Sequence, residues 1–405
     1  MMNIFVINSG SSSIKYQFIE MPSERVVCSG IVERIGKEDA RIIYKTYKKG
    51  NEQITSKVTK IANHAEGLQE VVSLLTAKET GVINDSSEIE VIGHRVVHGG
   101  ETFSQTAIIT AEVKEKIKQL FALAPLHNPP NYTGIEVAEK LFPKAAQVAV
   151  FDTAFHHSIP PVAFRYAIPN KFYYEDGIRV YGFHGTSHKY VSQKAIEYLK
   201  KEKSKIITIH LGNGCSMTAV QNGKSIDTSM GFGPMNGLIM GTRAGDIDQS
   251  VIFYLVNDLR YDAEKVKDLL NYKSGMIGLT GYNDMRDIHR QIDNGDEQSL
   301  LAFRMYAYRI RKYIGAYSAI LNGLDAIVFT GGVGENDYRM RQLCCSNMDY
   351  VGIKVDEERN KMPLSYLHEI NDESSPVKIL VIPTDEELEI AMQCYQLLNF
   401  QEHNY

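Results

Sequence analysis

A chain of 405 residues is too long for one ordinary hydrophobic core, so we expect two or more domains. Apolar residues make up 43% and charged residues 23%, as in globular proteins, and a net charge of -5 without a lysine- and arginine-rich block argues against nucleic acid or an anionic membrane as a partner. The start, MMNIFVINSG, resembles neither a secretion signal nor a membrane anchor. Five cysteines without a C-x-x-C pair predict reduced thiols and a cytoplasmic location.

Strand-like and helix-like segments alternate along the chain, which predicts an α/β fold. The strand-like runs are 3–8, 14–20, 89–98, 146–152, 205–212, 216–223, 325–332 and 378–384. The helix-like runs include 111–124, 187–201 and 298–321. The last run carries Leu301, Tyr308 and Ile314 at roughly helical spacing and stops at an Asn-Gly pair.

One layout occurs twice, at IFVINSGSSSIKYQFIEMPSERVVCSG from Ile4 and at IITIHLGNGCSMTAVQNGKSIDTS from Ile206. Each copy has an apolar strand, a turn of glycine, serine and asparagine, a second strand and a polar turn. The repetition indicates a duplicated domain whose two turns face each other, although hairpins are common in general.

Glycine-containing turns are candidate phosphate sites, because small residues let an anion approach backbone N–H groups. Gly10–Ser13 and Gly212–Ser216 are two such turns, and for either one alone a plain hairpin turn is the favoured alternative. The first does not match G-x-x-x-x-G-K-[ST], since Ile14 precedes Lys15 and a strand follows. In DAIVFTGGVGENDYRMR we expect a helix N-terminus near Gly334 to Asn336, which suits an anion or nucleotide.

Polar residues at strand ends are candidates for a carboxylate site. In IEVIGHRVVHGG, strand alternation places Arg95 and Val97 on one face, which suits a small carboxylate with a short alkyl tail. An arginine paired with an acidic core neighbour is the equally weighted alternative. Asp152 ends an apolar strand, where α/β sites usually lie. Arg243 lies in the glycine-rich MGTRAGDID, poorly placed for a core ion pair.

Two segments indicate helix starts. YGFHGTSH places Phe183 and His184 before a helix that Thr186 or Ser187 could cap. VIPTDEELEI places acidic residues 385–387 at a strand-to-helix turn, as a first-turn cluster or a metal site. Zinc is disfavoured because there is no H-E-x-x-H and no cysteine partner, and Mg²⁺ with oxygen ligands fits better.

Eleven ordered motifs, spread from end to end of the chain, resemble the acetate kinase family: NSGSSSIKY, GHRVVHGGE, LAPLHNPPN, VFDTAFH, YGFHGTSH, HLGNGCS, DTSMGF, MGTRAGDID, SGMIG, FTGGVGEN and PTDEE. The resemblance implies the acetate and sugar kinase/Hsp70/actin fold, an α/β fold of two duplicated actin-like (ribonuclease H-like) domains with a central cleft. Domain I would be 1–152 plus a returning C-terminal helix in 384–405, and domain II, which binds nucleotide, would be 153–383.

The resemblance also implies reversible phosphoryl transfer from ATP to acetate, giving acetyl phosphate and ADP, in a cytoplasmic homodimer that uses Mg²⁺ or Mn²⁺. By the same resemblance, the catalytic residues would be Arg95, Asp152, His184 and Arg243, with Arg95 also holding the carboxylate. Residues for the substrate methyl group would be Val97, Leu126, Phe183 and Pro234. Nucleotide-binding residues would be Lys15, His210, Leu211, Gly212, Asn213, Gly214, Asp284, Met285, Arg286, Gly332, Val333, Gly334, Glu335 and Asn336. The metal residues would be Asn8 and Glu386, and we assign Asp152 to orienting Arg243 or a metal-bound water.

One loop departs from the family pattern, and four rival functions remain. GFGPMNGL stands where the family usually has GFTPLEGL, so Gly233 and Asn236 replace a threonine and a glutamate, and we expect a looser loop. A propionate kinase of the same family is the closest rival, but those enzymes tend to have alanine at the position of Val97. The others are a butyrate kinase, whose motifs diverge further, a pyrophosphate-linked family member, and a non-catalytic nucleotide clamp like actin or Hsp70.

Overall fold

The computed structural model describes residues 1–48, 51–363 and 366–402. The described chain divides into two compact units. The first unit is Met1–Phe155 together with the chain from Asp385, and the second unit is His156–Thr384. The chain therefore leaves the first unit, builds the whole second unit, and then returns.

The strands of the described chain are β1 Met2–Ser9, β2 Ser13–Met21, β3 Arg25–Glu33, β4 Ala40–Lys48, β5 Asn51–Thr59, β6 Val91–Val96, β7 Ala107–Ile108, β8 Ala146–Phe151, β9 Lys205–Leu211, β10 Cys215–Gln221, β11 Lys224–Thr228, β12 Ala326–Thr330, β13 His368–Glu369 and β14 Lys378–Val381. The α-helices are α1 His64–Leu75, α2 Ala111–Gln119, α3 Asn128–Leu141, α4 Pro161–Phe164, α5 Lys171–Tyr174, α6 Gly185–Leu199, α7 Gln249–Asn257, α8 Ala263–Tyr272, α9 Gly275–Thr280, α10 Met285–Asp293, α11 Glu297–Leu321, α12 Gly331–Asn336, α13 Tyr338–Cys345, α14 Glu357–Lys361 and α15 Glu386–Glu402.

The two units repeat one sheet topology. The first unit has an eight-stranded sheet in the order β5-β4-β3-β2-β1-β6-β8-β7, and the second a six-stranded sheet in the order β11-β10-β9-β12-β14-β13. In both, an antiparallel three-stranded meander (β1–β3 or β9–β11) continues through its first strand into two parallel strands (β6 and β8, or β12 and β14). The sheets, together with the solved relatives reported below, confirm the predicted duplicated α/β fold.

The central strands are buried on both faces, which explains their continuous apolar runs. Ile4, Phe5, Val6 and Ile7 of β1 are all essentially inaccessible to solvent. Helix α11 closely matches the predicted segment 298–321. Its buried stripe is Phe303, Tyr306, Ile310, Ile314 and Tyr317, at spacings of three and four residues. Of the three residues that indicated this helix, only Ile314 is buried.

Two predictions of where a helix begins are wrong. Helix α6 begins at Gly185 with His184 as its N-cap, so neither Thr186 nor Ser187 caps it. Helix α12 begins at Gly331, because the positive φ of that glycine turns the chain from β12 directly into the helix, and Gly334 to Asn336 form its end.

Strand β6 ends before Val97, so strand alternation does not govern that residue. The backbone N–H of Val97 donates to the side-chain Oδ1 of Asn131 at 3.0 Å.

The sequence analysis did not predict the strands β4 and β5. All five cysteines are buried and free. Among the helices of the described residues, none combines the length and apolar character that crossing a bilayer requires.

Candidate active site

In the first unit, polar side chains gather where the parallel strands β1, β6 and β8 end. Asn8 lies at the end of β1, Arg95 near the end of β6, and Asp152 directly after β8. The carboxyl ends of parallel strands lie at one edge of a sheet, which brings these residues together. Glu386, the first residue of α15, joins them. We call Asn8, Arg95, Asp152 and Glu386 the arginine cluster.

The centre of the arginine cluster is an ion pair between Arg95 and Asp152. Arg95 Nε donates to both carboxylate oxygens of Asp152 at 3.1 Å, and Arg95 Nη2 lies 2.5 Å from Asp152 Oδ2. The side chain of Asp152 is 1% exposed and that of Arg95 19%. Burial opposes the charge on Arg95, but the carboxylates of Asp152 and Glu386 outweigh it and raise the pKa of Arg95. The acidic neighbour that sequence left as an alternative is therefore present.

The oxygen atoms of the arginine cluster fit a hard divalent cation. Asn8 Oδ1 accepts from Arg95 Nη1 at 3.3 Å, and Glu386 Oε2 lies 3.7 Å from Arg95 Nε. Burial raises the pKa of Glu386, and repulsion from Asp152 and Glu387 adds to this against the opposing effect of Arg95. A nearby cation would offset that repulsion. Mg²⁺ is usually held by one or two carboxylates together with water and phosphate oxygens.

Lys15 is held at the same edge by an acidic residue of α15. Its Nζ lies 2.8 Å from Glu387 Oε2, and the Glu387 side chain is only 5% exposed. Burial by itself would lower the pKa of Lys15, but the charge of Glu387 raises it. In the turn before it, the Gly10 N–H donates to the Ser13 carbonyl, so that N–H is already used within the turn. Lys15 thus anchors α15, and its part in binding nucleotide remains a prediction.

In the second unit, His184 occupies a backbone conformation that non-glycine residues rarely adopt. Its φ of 57° and ψ of 26° lie in the left-handed region, and such a residue costs on the order of 1–3 kcal/mol and tends to occur at functional sites. His184 Nδ1 lies 2.9 Å from Ser216 Oγ, and its ring centroid lies 4.5 Å from that of His210. Phe183, the preceding residue, is buried.

Arg243 lies beside the same turn. A Cβ atom built on Gly214 would lie 3.3 Å from His184 Cε1 and 3.8 Å from Arg243 Nη1, so both side chains approach the HLGNGCS turn. Arg243 Nη1 donates to the Pro234 carbonyl at 2.9 Å. Burial lowers the pKa of Arg243, and within the described residues it forms no ion pair. A half-buried guanidinium without a carboxylate suits an incoming anion.

The SGMIG motif, to which sequence assigned no role, supports the backbone that carries Arg243. Gly275 has a φ of +60°, and a Cβ there would lie 2.2 Å from the Met240 carbonyl oxygen and 2.5 Å from the Arg243 carbonyl oxygen. Only glycine fits such an approach. The N–H groups of Met276 and Ile277 in α9 donate to the carbonyls of Met240 and Gly241 at 2.9 Å. The start of α9 thus fixes the loop from which the Arg243 side chain extends.

The second unit also contains a pocket of about 890 Å³. Of the predicted nucleotide residues, it is lined by Gly212, Asn213, Asp284, Met285, Arg286, Gly332, Val333 and Asn336. Sequence reasoning missed Asn283, His289, Asp293, Asp337, Tyr338 and Arg339, which complete the lining. The first of these begins the segment NDMRD, residues 283–287, which contains the predicted Asp284, and three others directly follow GGVGEN. Closeness in sequence to the predicted residues was therefore the available signal.

Comparison with known proteins decides the family. A model of the acetokinase family matches residues 3–392. A curated acetate kinase from Flavobacterium johnsoniae is 61% identical over 397 residues, which cover 98% of this chain and 100% of that protein. The chain belongs to the acetokinase family.

Two solved structures of kinases are similar to this chain over nearly its whole length. The crystal structure of Porphyromonas gingivalis acetate kinase has a TM-score of 0.91 at 42% identity and covers 98% of this chain and 100% of that one. A propionate kinase from Francisella tularensis has a TM-score of 0.89 at 39% identity and covers 97% of this chain and 99% of that one. Family membership, predicted from the motifs, is thus confirmed.

Several acetokinase motif residues do not line the pocket. Lys15 is in the first unit, while His210, Leu211, Gly214, Gly334 and Glu335 lie close to the pocket in sequence but are not part of its wall. Glu335 Oε1 accepts from the N–H groups of Gly331 at 2.9 Å and Thr384 at 3.1 Å, so it ties the start of α12 to the chain after β14. Their contact with nucleotide remains a prediction.

The residues predicted for a substrate methyl group differ in exposure. Val97 and Phe183 are buried, whereas Leu126 is 52% exposed. Val97 and Leu126 belong to the first unit, and Phe183 and Pro234 to the second.

In the loop where Gly233 and Asn236 differ from the usual acetokinase residues, the space beside Gly233 is empty. A Cβ on Gly233 would meet no atom within 4 Å, so nothing in the described structure replaces the missing threonine side chain. Asn236 is exposed, which agrees with the loss of a glutamate being tolerated locally.

Proposed function

We propose that this protein is an acetate kinase, which reversibly transfers the γ-phosphoryl group of ATP to acetate and gives acetyl phosphate and ADP. The observation that carries the proposal is Arg243, a half-buried arginine without a described carboxylate partner, beside His184 and the HLGNGCS turn in the unit that holds the pocket. Phosphoryl transfer places negative charge on the equatorial oxygens, and preorganised cationic and N–H donors stabilise that charge.

The reaction is direct and in line. A carboxylate oxygen of acetate attacks the γ-phosphorus while the bond to the β-γ bridging oxygen breaks, and ADP leaves without any proton transfer. We propose that Arg243 and His184 stabilise the transferring group and that Arg95 holds the acetate carboxylate. The sequence assigned Asp152 to orienting Arg243 or a metal-bound water, but its ion pair is with Arg95, so we propose instead that Asp152 orients the Arg95 guanidinium. Holding both reactants in line can supply roughly 7–11 kcal/mol of the barrier reduction.

Asn8 and Glu386 are proposed to hold Mg²⁺, or Mn²⁺ in its place. The ion would neutralise charge on the phosphate oxygens when bound. Lys15, the HLGNGCS turn, the NDMRD segment and the GGVGEN segment are proposed to bind the nucleotide. The two compact units are proposed as the domains of the enzyme, with boundaries near residues 152 and 384.

Trapping of the acyl phosphate tests the reaction. With ATP, Mg²⁺ and acetate, hydroxylamine should convert the product to acetohydroxamate, and ADP should form in equal amount. Omission of either ATP or acetate is the control. A protein that forms no hydroxamate with any short carboxylate would be a nucleotide clamp rather than a kinase.

The choice between acetate and propionate depends on the pocket for the methyl group. Val97 is buried and carries two methyl groups that alanine lacks, so acetate should have the higher kcat/KM. One methylene is worth about 1–3 kcal/mol in such a pocket, so propionate should be a poor but real substrate. Val97→Ala should raise the propionate-to-acetate ratio of kcat/KM by about tenfold or more. A higher kcat/KM for propionate in the unmodified protein would instead identify a propionate kinase.

We also propose a cytoplasmic homodimer, supported by α7 and the residues after it. This apolar helix, QSVIFYLVN, has no buried residue, and Phe253 is 64% and Tyr254 56% exposed. Exposed apolar patches of this kind usually mark an interface. Free, buried cysteines agree with a reducing compartment.

Replacement of Phe253 by glutamate tests the homodimer. Phe253→Glu should shift the protein from dimer to monomer in sedimentation equilibrium, because the charge would be buried at the interface. Val162→Glu is the matched control, since Val162 is 90% exposed and lies outside α7. A monomeric unmodified protein, or a variant that stays dimeric, would contradict the assignment.

A further inference from the structure

A chain of buried hydroxyl and imidazole groups leads from the interior of the second unit to His184. Thr208 Oγ1 lies 2.7 Å from His188 Nδ1, His188 Nε2 lies 2.7 Å from Ser216 Oγ, and Ser216 Oγ lies 2.9 Å from His184 Nδ1. Thr208, His188 and Ser216 are completely buried. We call this series the histidine relay.

The direction of the histidine relay follows from its inner end. Thr208 and Thr218 face each other across β9 and β10, and the Thr208 hydroxyl donates to the Thr218 carbonyl at 3.4 Å. A hydroxyl carries one hydrogen, so when Thr208 gives it to this carbonyl, Thr208 Oγ1 accepts from His188. In that arrangement His188 Nδ1 carries the hydrogen of the contact.

The position of the hydrogen on His188 determines which atom donates in the next contact of the histidine relay. Complete burial, to which His156 and His210 add repulsion, lowers the pKa of His188 well below its usual value, so its ring is neutral. A neutral imidazole with hydrogen on Nδ1 has a bare Nε2, which can only accept. Ser216 must donate its single hydrogen to His188 Nε2. The oxygen of Ser216 then accepts from His184.

We propose that Ser216 and His188 are positioning residues that hold neutral His184 as the tautomer with hydrogen on Nδ1. Nothing in the sequence motifs assigns them this task. The Nε2 atom of His184 is then bare in the neutral ring and becomes a donor only in the imidazolium ion. This inference rests on the proposed function, and it means that His184 is positively charged when it contacts the transferring phosphoryl group. An imidazole held in the wrong tautomer can cost up to about 10⁴-fold in kcat.

The tautomer can be read directly by NMR of the full-length protein labelled with ¹⁵N-histidine. The spectra are recorded without substrate, at a pH where the His184 ring is neutral, and the His184 signals are assigned by their loss in His184→Asn. We expect the chemical shift of an N–H nitrogen at Nδ1 and of a bare nitrogen at Nε2. The opposite pattern, with hydrogen on Nε2, would overturn the proposal without reference to any activity.

Variants separate positioning from packing. Ser216→Ala should abolish the preference for hydrogen on Nδ1. His188→Gln keeps an acceptor oxygen near the position of Nε2 and should preserve the His184 tautomer, whereas His188→Leu removes the acceptor and should not. Thermal unfolding of each variant reports on packing alone. Equal NMR patterns for His188→Gln and His188→Leu would also contradict the proposal.

The kinetic consequence is tested separately from the tautomer. His188→Leu should lower kcat by on the order of 10- to 100-fold more than His188→Gln, as for other residues that orient functional histidines, with little difference in the KM for ATP. If no variant and no unmodified protein forms acyl phosphate while Nδ1 carries the hydrogen, the proposed function fails and the tautomer assignment stands.

Discussion

Arg243→Ala is expected to lower kcat by about 10²- to 10³-fold, the usual cost of removing one preorganised donor from a developing negative charge. Arg243 is half-buried and has no carboxylate partner among the described residues, and the Pro234 carbonyl and the Met240 sulfur are its hydrogen-bond acceptors. The charge of Arg243 therefore makes no ion pair that would offset the free-energy cost of removing the guanidinium from water. Removing it should leave the unfolding temperature within a few degrees of that of the unmodified protein.

Steady-state kinetics of the purified variants measure this effect. Arg243→Lys should remain well below the unmodified kcat, because a lysine ammonium does not reproduce the planar fork of a guanidinium. Arg304→Ala is the control, since Arg304 is an exposed arginine on α11 of the same unit. If Arg243→Ala retained nearly full kcat, our role for this arginine would be wrong.

Asp152→Asn is expected to reduce both stability and activity. Removing one member of a buried ion pair costs about 3–5 kcal/mol, because it leaves the other charge buried without compensation. Arg95 is 19% exposed and keeps Glu386 at 3.7 Å, so we expect the lower end of that range. Activity should fall as well, because the Arg95 guanidinium loses the carboxylate that orients it.

A double variant distinguishes the two losses. Arg95→Met combined with Asp152→Asn removes both charges, so most of the stability in urea unfolding should return while the activity stays absent. Asp39→Asn is the matched control, because the Arg34–Asp39 pair is 60% exposed on both sides and should be worth at most about 1 kcal/mol. Equal destabilisation by Asp152→Asn and by the double variant would contradict this account.

The duplicated architecture was predictable because it leaves a local signature. The hairpins from Ile4 and Ile206 repeat the order of apolar runs and small-residue turns, and those runs form the meanders β1–β3 and β9–β11. Strand β5 leaves no such signature. In β5, Asn51–Thr59, most side chains are exposed, so the sequence lacks the apolar alternation that indicates a strand.

The candidate site was predictable only as separate pieces. Arg95 and Asp152 are 57 residues apart, and their ion pair depends on the pairing of β6 with β8, which the sequence does not specify. The histidine relay depends on α6 lying against β9 and β10.

On α11, helical spacing identified the helix but not its buried face, because Leu301 and Tyr308 are as apolar as the residues that form the core.

The return of the chain to the first unit has a consequence for synthesis on the ribosome. The first unit is interrupted after Phe155 and resumes at Asp385, whereas the second unit is continuous. Helix α15 packs on the sheet of the first unit, where a Cβ on Gly93 would lie 2.8 Å from Ile390 and 3.0 Å from Cys394. All residues of the second unit are therefore made before those of α15. The first unit, although begun earlier, must wait for α15, with the sheet surface around Gly93 uncovered until then.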